Sequence, residues 1–281
     1  MSESHQSSAM KILVMFHLAI CWTPPALRAD NLAVFLALDH DIKALVASGT
    51  ETGQPILVGT RKIRRVTIGQ HQIYVTLMGS GCVETAVSAE ALLARYRCDL
   101  AFSVGPAGAI TDSAAEGTWW KVDQCLVANK AAGEGSASQP YDLESSAEGT
   151  TWALPDCFKL ANCAKLVSGE QFISSTQGRQ TLATVSRGAT LVDMNTHGLV
   201  VACANHGVPL HVWRIVSDQA NENAGESFRN FVSNYNGAGA RALTKLIHGL
   251  PTNPKAATSY TGIKRLLESG QTDKDGAKKS E

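Results

Sequence analysis

Leu210-His211-Val212-Trp213-Arg214-Ile215-Val216-Ser217-Asp218 is an apolar run that passes without a break into Ser and Asp, with an Arg embedded in it. It reads as a buried strand with a carboxylate at its carboxyl end. In open α/β sheets that edge is where ligands bind, because the loops there vary while the sheet holds them rigidly. Asp218 either caps the next helix through its free amides or performs chemistry, and the strand alone does not choose.

Upstream, residues 32–38 form a second continuous apolar run, the mark of a strand buried on both faces, which ends in Asp39-His40-Asp41 before an amphipathic segment at 42–46. One of these carboxylates suffices to cap that segment. Short β-branched runs at 56–58, 65–68 and 73–77 read as an antiparallel meander. Met78-Gly79-Ser80-Gly81 then opens a helix over 83–96; its Gly-x-Gly fits either close approach to a ligand or an ordinary strand-to-helix turn. A strand at 100–104 is expected to finish in a tight turn, Gly105-Pro106-Ala107-Gly108, and another strand spans 119–127. Residues 130–149 read as a long surface loop. Beyond it come a strand at 165–167, a polar helix around Gln180, a strand at 190–195 with a polar end, and a helix over 198–205. After the opening strand, 221–225 reads as a loop and 228–247 as one long helix. Strands alternating with helices predict an α/β fold with a mixed, mostly parallel central sheet flanked by helices on both faces. The domain runs over 30–250, and 251–281 is a polar tail.

A chain of 281 residues can bury one sizeable core. Its 25 basic residues balance 25 acidic ones, which removes any electrostatic argument for nucleic acid or an anionic membrane as partner and favours a small ligand. Met10-Lys11, an apolar run over 12–22, Pro24-Pro25 and Ala29 form the layout of a secretory signal peptide over 1–29, too short to span a bilayer comfortably. Cleaved, it implies a periplasmic or secreted protein; uncleaved, a cytoplasmic one with a buried first strand. No Cys-x-x-Cys occurs among the seven cysteines. Cys98 and Cys203 read as core thiols, whereas Cys157 and Cys163 are candidates to pair with each other or with Cys125. His197, His206, His211 and His248 lack ligand spacing, and no metal or other cofactor is expected.

Three motifs converge. Ser168-Gly169-Glu170-Gln171-Phe172-Ile173 resembles the Ser-Gly-Asp-x-Phe-Ile of the purine nucleoside phosphorylase superfamily, in particular its methylthioadenosine/S-adenosylhomocysteine nucleosidases. Arg214-Ile215-Val216-Ser217-Asp218 resembles their Arg-x-Ile-Ser-Asp, and Val192-Asp193-Met194-Asn195 their Val-Glu-Met-Glu. The resemblance covers residues 31–250. It implies hydrolysis of the N-glycosidic bond of adenosine-type purine nucleosides without a cofactor, in a homodimer or higher homo-oligomer. It also implies that Asp218 is the general acid at purine N7, since a protonated base leaves more easily than an anion. Asp41 takes the place of the water-orienting carboxylate, with Arg214 near it. Phe172 stacks on the purine, the Ile173 backbone reads its edge, Met194 and Asn195 meet the ribose, and Ser217 and Gly105 complete the substrate site.

This chain departs from the family pattern at the sugar. Asn195 stands where a ribose-binding Glu is usual, and Pro106 where a Ser helps to hold the water. A nucleoside-binding protein with weakened catalysis is therefore a second reading. A phosphorolytic enzyme is a third. It needs a cationic cradle where Asp39-His40-Asp41 would repel phosphate, and Arg61, Arg64 and Arg65 are either that cradle or a solvated face.

Overall fold

The computed structural model describes residues 31–128, 141–142, 158, 161–186 and 188–250. The signal-peptide and tail readings, Cys157, and the 130–149 loop apart from 141–142 lie outside the described residues. In chain order the elements are β1 (Asn31–Leu36), α1 (Asp39–Ala47), β2 (Thr50–Glu51), β3 (Ile56–Val58), β4 (Arg61–Ile68), β5 (His71–Leu77) and α2 (Cys82–Leu93). They continue with β6 (Leu100–Ala109), β7 (Trp119–Val127), β8 (Tyr141–Asp142), β9 (Asn162–Ser168), α3 (Thr176–Val185), β10 (Leu191–Asp193), α4 (Thr196–His206), β11 (Leu210–Asp218), α5 (Ala224–Asn234) and α6 (Ala238–His248).

β11 is buried at every residue because it lies inside the sheet, whose strand order is β10-β9-β7-β11-β6-β1-β5-β4-β2. The central run β5–β1–β6–β11 is parallel, while the meander of β2, β3, β4 and β5 is antiparallel, as expected. β10 runs parallel to β9 and also pairs antiparallel with β6, so β6, β11, β7, β9 and β10 close into a small ring.

Strand periodicity divides the core. On β1, Leu32, Val34 and Leu36 join Ile42 and Leu45 of α1 and Leu243, Leu246 and Ile247 of α6 in one cluster. Ala33 and Phe35 point the other way, into a cluster with Ala89 and Leu92 of α2 and Leu199 and Cys203 of α4. An apolar residue at every position of β1 is thus what a sheet covered on both faces requires. Cys82, Cys98, Cys125 and Cys203 are buried free thiols.

Two expectations are corrected. Gly105-Pro106-Ala107-Gly108 is not a turn: β6 continues through it to Ala109, held by β11 on one side and β10 on the other. The predicted single helix over 228–247 is two helices. Gly237 between them has φ 79°, and a Cβ there would lie 2.7 Å from both the Ala44 side chain and the His40 carbonyl. Close packing against α1 and a left-handed backbone both require glycine at this break.

Candidate active site

The carboxyl ends of the parallel strands open on a cavity of about 290 Å³, near the lower end of the usual size for small-molecule sites. Ala37 and Leu38 beyond β1, Met78 and Gly79 beyond β5, Pro106 to Gly108 on β6, and Ser217 and Asp218 on β11 form its floor. The remaining wall comes from residues 171–173 after β9, 192–195 around the end of β10, and Phe228 of α5.

Asp218 reaches this cavity through an irregularity in register. Val216 pairs with Ala107 but Asp218 pairs with Gly108, so Ser217 is an extra residue, and such bulges re-aim the side chains beside them. Ser217 Oγ donates to Asp218 Oδ2 at 2.8 Å and the Ala220 N–H donates to Oδ1 at 3.0 Å. Ala220 delivers that N–H from a left-handed conformation, φ 50°, that alanine rarely adopts. Burial raises the Asp218 pKa above the usual aspartate value, against the lowering effect of these two hydrogen bonds. Gly108 leaves the space: a Cβ there would lie 2.9 Å from Asp218 Oδ1. A buried carboxyl whose pKa is raised, facing a cavity, is suited to general acid catalysis.

Phe172, 43% exposed, flanks the cavity, and its ring meets Phe228 edge-on at 5.8 Å between centroids. Ile173, Met194, Asn195 and Ser217 also line it, so six residues singled out in the sequence come together around one space.

The other three do not line it. Arg214 is buried behind the wall. Its Nε donates to Asp193 Oδ2 at 2.9 Å, Nη1 to Ser103 Oγ, and Nη2 to Thr196 Oγ1. Asp193 accepts further bonds from Ser168 Oγ, the Asn195 and Thr196 N–H groups and Thr196 Oγ1, so it is a saturated structural carboxylate. Gly105 instead lets Ala37 pack beneath the site, where a Cβ would come within 2.9 Å of the Ala37 Cβ.

Asp41 is the main correction. The first turn of α1 directs it to the face covered by α6, where its Oδ1 accepts the Tyr235 hydroxyl at 2.9 Å and the Ala240 N–H at 3.0 Å. The Tyr235 hydroxyl in turn accepts the Gly239 N–H at 2.8 Å. Together they satisfy free amides in the first turn of α6, and Asp41 caps that helix from a distant part of the chain. Burial is complete, and it pushes the Asp41 pKa up to about 6.

Sequence reasoning missed Phe228, Leu38, Met78 and Gln171 as wall residues. Met78 was legible only as part of a Gly-x-Gly turn, and Phe228 carried no signal beyond an apolar position on a helix. Among the described residues lining the cavity there is no Lys, Arg or His. Arg61 pairs with Glu84 and Arg64 with Glu51. Glu170 occupies the N-terminus of α2, where its Oε1 accepts the Val83 N–H at 2.9 Å.

The model of the phosphorylase superfamily matches residues 31–248, the span that carries the sheet and every wall of this cavity. The chain belongs to the phosphorylase superfamily. Among curated superfamily proteins, it is 26% identical over 205 residues to the 5′-methylthioadenosine/S-adenosylhomocysteine nucleosidase of Staphylococcus aureus, covering 70% of this chain and 90% of that one. It is 25% identical over 226 residues to the Staphylococcus haemolyticus protein of the same name, covering 76% and 96%. Its fold matches the Helicobacter pylori 5′-methylthioadenosine/S-adenosylhomocysteine nucleosidase with a TM-score of 0.68 at 18% identity, over 79% of this chain and 99% of that one. The futalosine hydrolase of Helicobacter pylori matches with the same score, identity and coverage.

Proposed function

We propose that this superfamily member hydrolyses the N-glycosidic bond of adenosine-type purine nucleosides, with Asp218 as the general acid. The observation that carries the proposal is the buried Asp218 carboxyl at the end of β11, its pKa raised by burial, facing a cavity flanked by the Phe172 ring. In this reading the purine stacks on Phe172, and Asp218 gives its proton to N7. The bond from the base to the sugar then breaks with its electrons moving into the base, leaving an oxocarbenium-like sugar that water attacks. The base departs neutral, and the proton lost by water restores the acid. Met194 packs against the sugar. The named nucleosidases among the relatives support the hydrolytic assignment, as does a cavity whose described lining residues include no cation to hold phosphate.

The test is a panel of purine nucleosides incubated with and without inorganic phosphate. Free base and free sugar at equal rates in both conditions are expected; sugar 1-phosphate as product would sink the proposal. A second reading, a nucleoside-binding protein with weakened turnover, is favoured by the carboxylates of the cavity: among the described lining residues the only one besides Asp218 is Asp193, which is saturated, while Asp41 caps α6. Calorimetric binding of adenosine without measurable release of adenine would select it. We also propose export through the 1–29 leader, tested by the mass of the mature N-terminus, and homo-oligomerisation, tested by light scattering.

A further inference from the structure

Asn195 stands at the N-cap of α4, the position where an Asn side chain ordinarily accepts an amide of the first turn, yet it makes no such bond. Asp193 takes the role instead, accepting the Thr196 N–H. The Asn195 side chain turns away from the helix, and Nδ2 donates to Gly79 O at 2.7 Å and to Thr85 Oγ1 at 2.7 Å. A carbonyl oxygen only accepts, and Thr85 Oγ1 spends its own proton on Gly79 O at 3.2 Å. The group facing both of them must therefore be the amide nitrogen, which fixes the orientation of the side chain. Both Nδ2 protons are used. Oδ1 is left as the acceptor that this cavity-lining side chain can offer a ligand, and among the described residues no donor reaches it. A carboxylate at 195 would set an oxygen against the Gly79 carbonyl, so this surrounding is built for an amide.

The cavity has two flanks. In the strand order β11–β6–β1–β5, Asp218 ends β11, and Asn195 is tied to Gly79 just beyond β5. With the purine at Asp218 and Phe172, the sugar falls on the Asn195 side. We infer that Asn195 reads one sugar hydroxyl through Oδ1, and that the protein therefore accepts purine nucleosides lacking the other hydroxyl of the 2′,3′ pair. This rests on the nucleosidase reading. A carboxylate offers a separate oxygen to each hydroxyl of the vicinal pair, whereas Oδ1 is one atom that the two would have to share, so one hydroxyl takes the well-aligned bond. Removing the hydroxyl that Oδ1 accepts leaves that oxygen without its donor beneath the bound ligand, which is costly, and removing a hydroxyl without a partner costs little.

The test compares kcat/KM for adenosine, 2′-deoxyadenosine and 3′-deoxyadenosine in the wild type and in Asn195→Ala. In the wild type, one deoxynucleoside should remain within about tenfold of adenosine and the other should fall by about a hundredfold. In Asn195→Ala adenosine should fall and the asymmetry should vanish; a merely structural role for Asn195 would lower all three substrates equally and keep it. Two large losses, meaning that both hydroxyls are read, or none, meaning that neither is, would overturn the inference. If adenosine is not turned over at all, the nucleosidase reading fails by itself, and the same asymmetry is then sought in calorimetric affinities. Its absence there, or the absence of binding, overturns the inference as well.

Discussion

Replacing Asp41 with Asn separates a carboxylate that caps a helix from one that handles water. Burial moves the Asp41 pKa from the usual 3.8 to about 6. At neutral pH the folded protein therefore carries an ionised carboxylate that it disfavours, by roughly two units at about 1.4 kcal/mol each, or about 3 kcal/mol. The sign follows from linkage: Asp41 favours the fold most below pH 3.8, loses that contribution as pH rises to about 6, and is a full cost above it. Asparagine keeps an Oδ1 for the Tyr235 hydroxyl and the Ala240 N–H and removes the charge. Its amide nitrogen then takes the place of Oδ2, which has no hydrogen-bond partner among the described residues, at a cost of about 1–2 kcal/mol. A net gain of about 1–2 kcal/mol should remain above pH 6, raising Tm by about 2–4 °C per kcal/mol, and it should shrink towards pH 4. Thermal unfolding between pH 4.5 and 8 measures this, alongside adenine release at pH 7. Adenine release reduced a hundredfold or more in a folded Asp41→Asn protein, or a lowered Tm at pH 7.5, would refute the capping role.

Other expectations follow from the same geometry. Because burial raises the Asp218 pKa and the acid must be protonated to act, kcat should be highest at low pH and decline as pH rises through that value; a pH-independent rate across the stable range would contradict this. Gly108→Ala should lower kcat more than it lowers Tm, since the new Cβ meets Asp218 Oδ1 at 2.9 Å; steady-state kinetics with a melting curve distinguish the two effects. Arg214→Ala leaves Asp193 buried without its cation, and urea unfolding should show a loss of about 3–5 kcal/mol.

What could be read from the sequence was what local pattern determines. β1 and β11 were visible because a strand between two helical layers is apolar on both faces, and each ran into polar residues at the end where the cavity lies. Phe172, Ile173, Met194, Asn195, Ser217 and Asp218 followed from motifs at such ends. The orientation of Asp41 was not visible, because its partner amide belongs to Ala240, 199 residues further along the chain. No local signal distinguishes the face of α1 that α6 covers from the face towards the cavity. Gly105-Pro106 had the composition of a turn, but strands on both sides of β6 hold it extended. The break at Gly237 had a local signal in the turn dipeptide Asn236-Gly237, which the apolar helical pattern on both sides of it masked; close packing against α1 decides it.

The central claim is that Asp218 protonates the departing purine. It is tested most directly by comparing kcat/KM of wild type and Asp218→Asn on adenosine and on p-nitrophenyl β-D-ribofuranoside, whose leaving group departs without a proton. The account predicts a loss of about a hundredfold or more on adenosine and little change on the nitrophenyl riboside. Equal losses on both substrates, or retained adenosine hydrolysis in the variant, would contradict it.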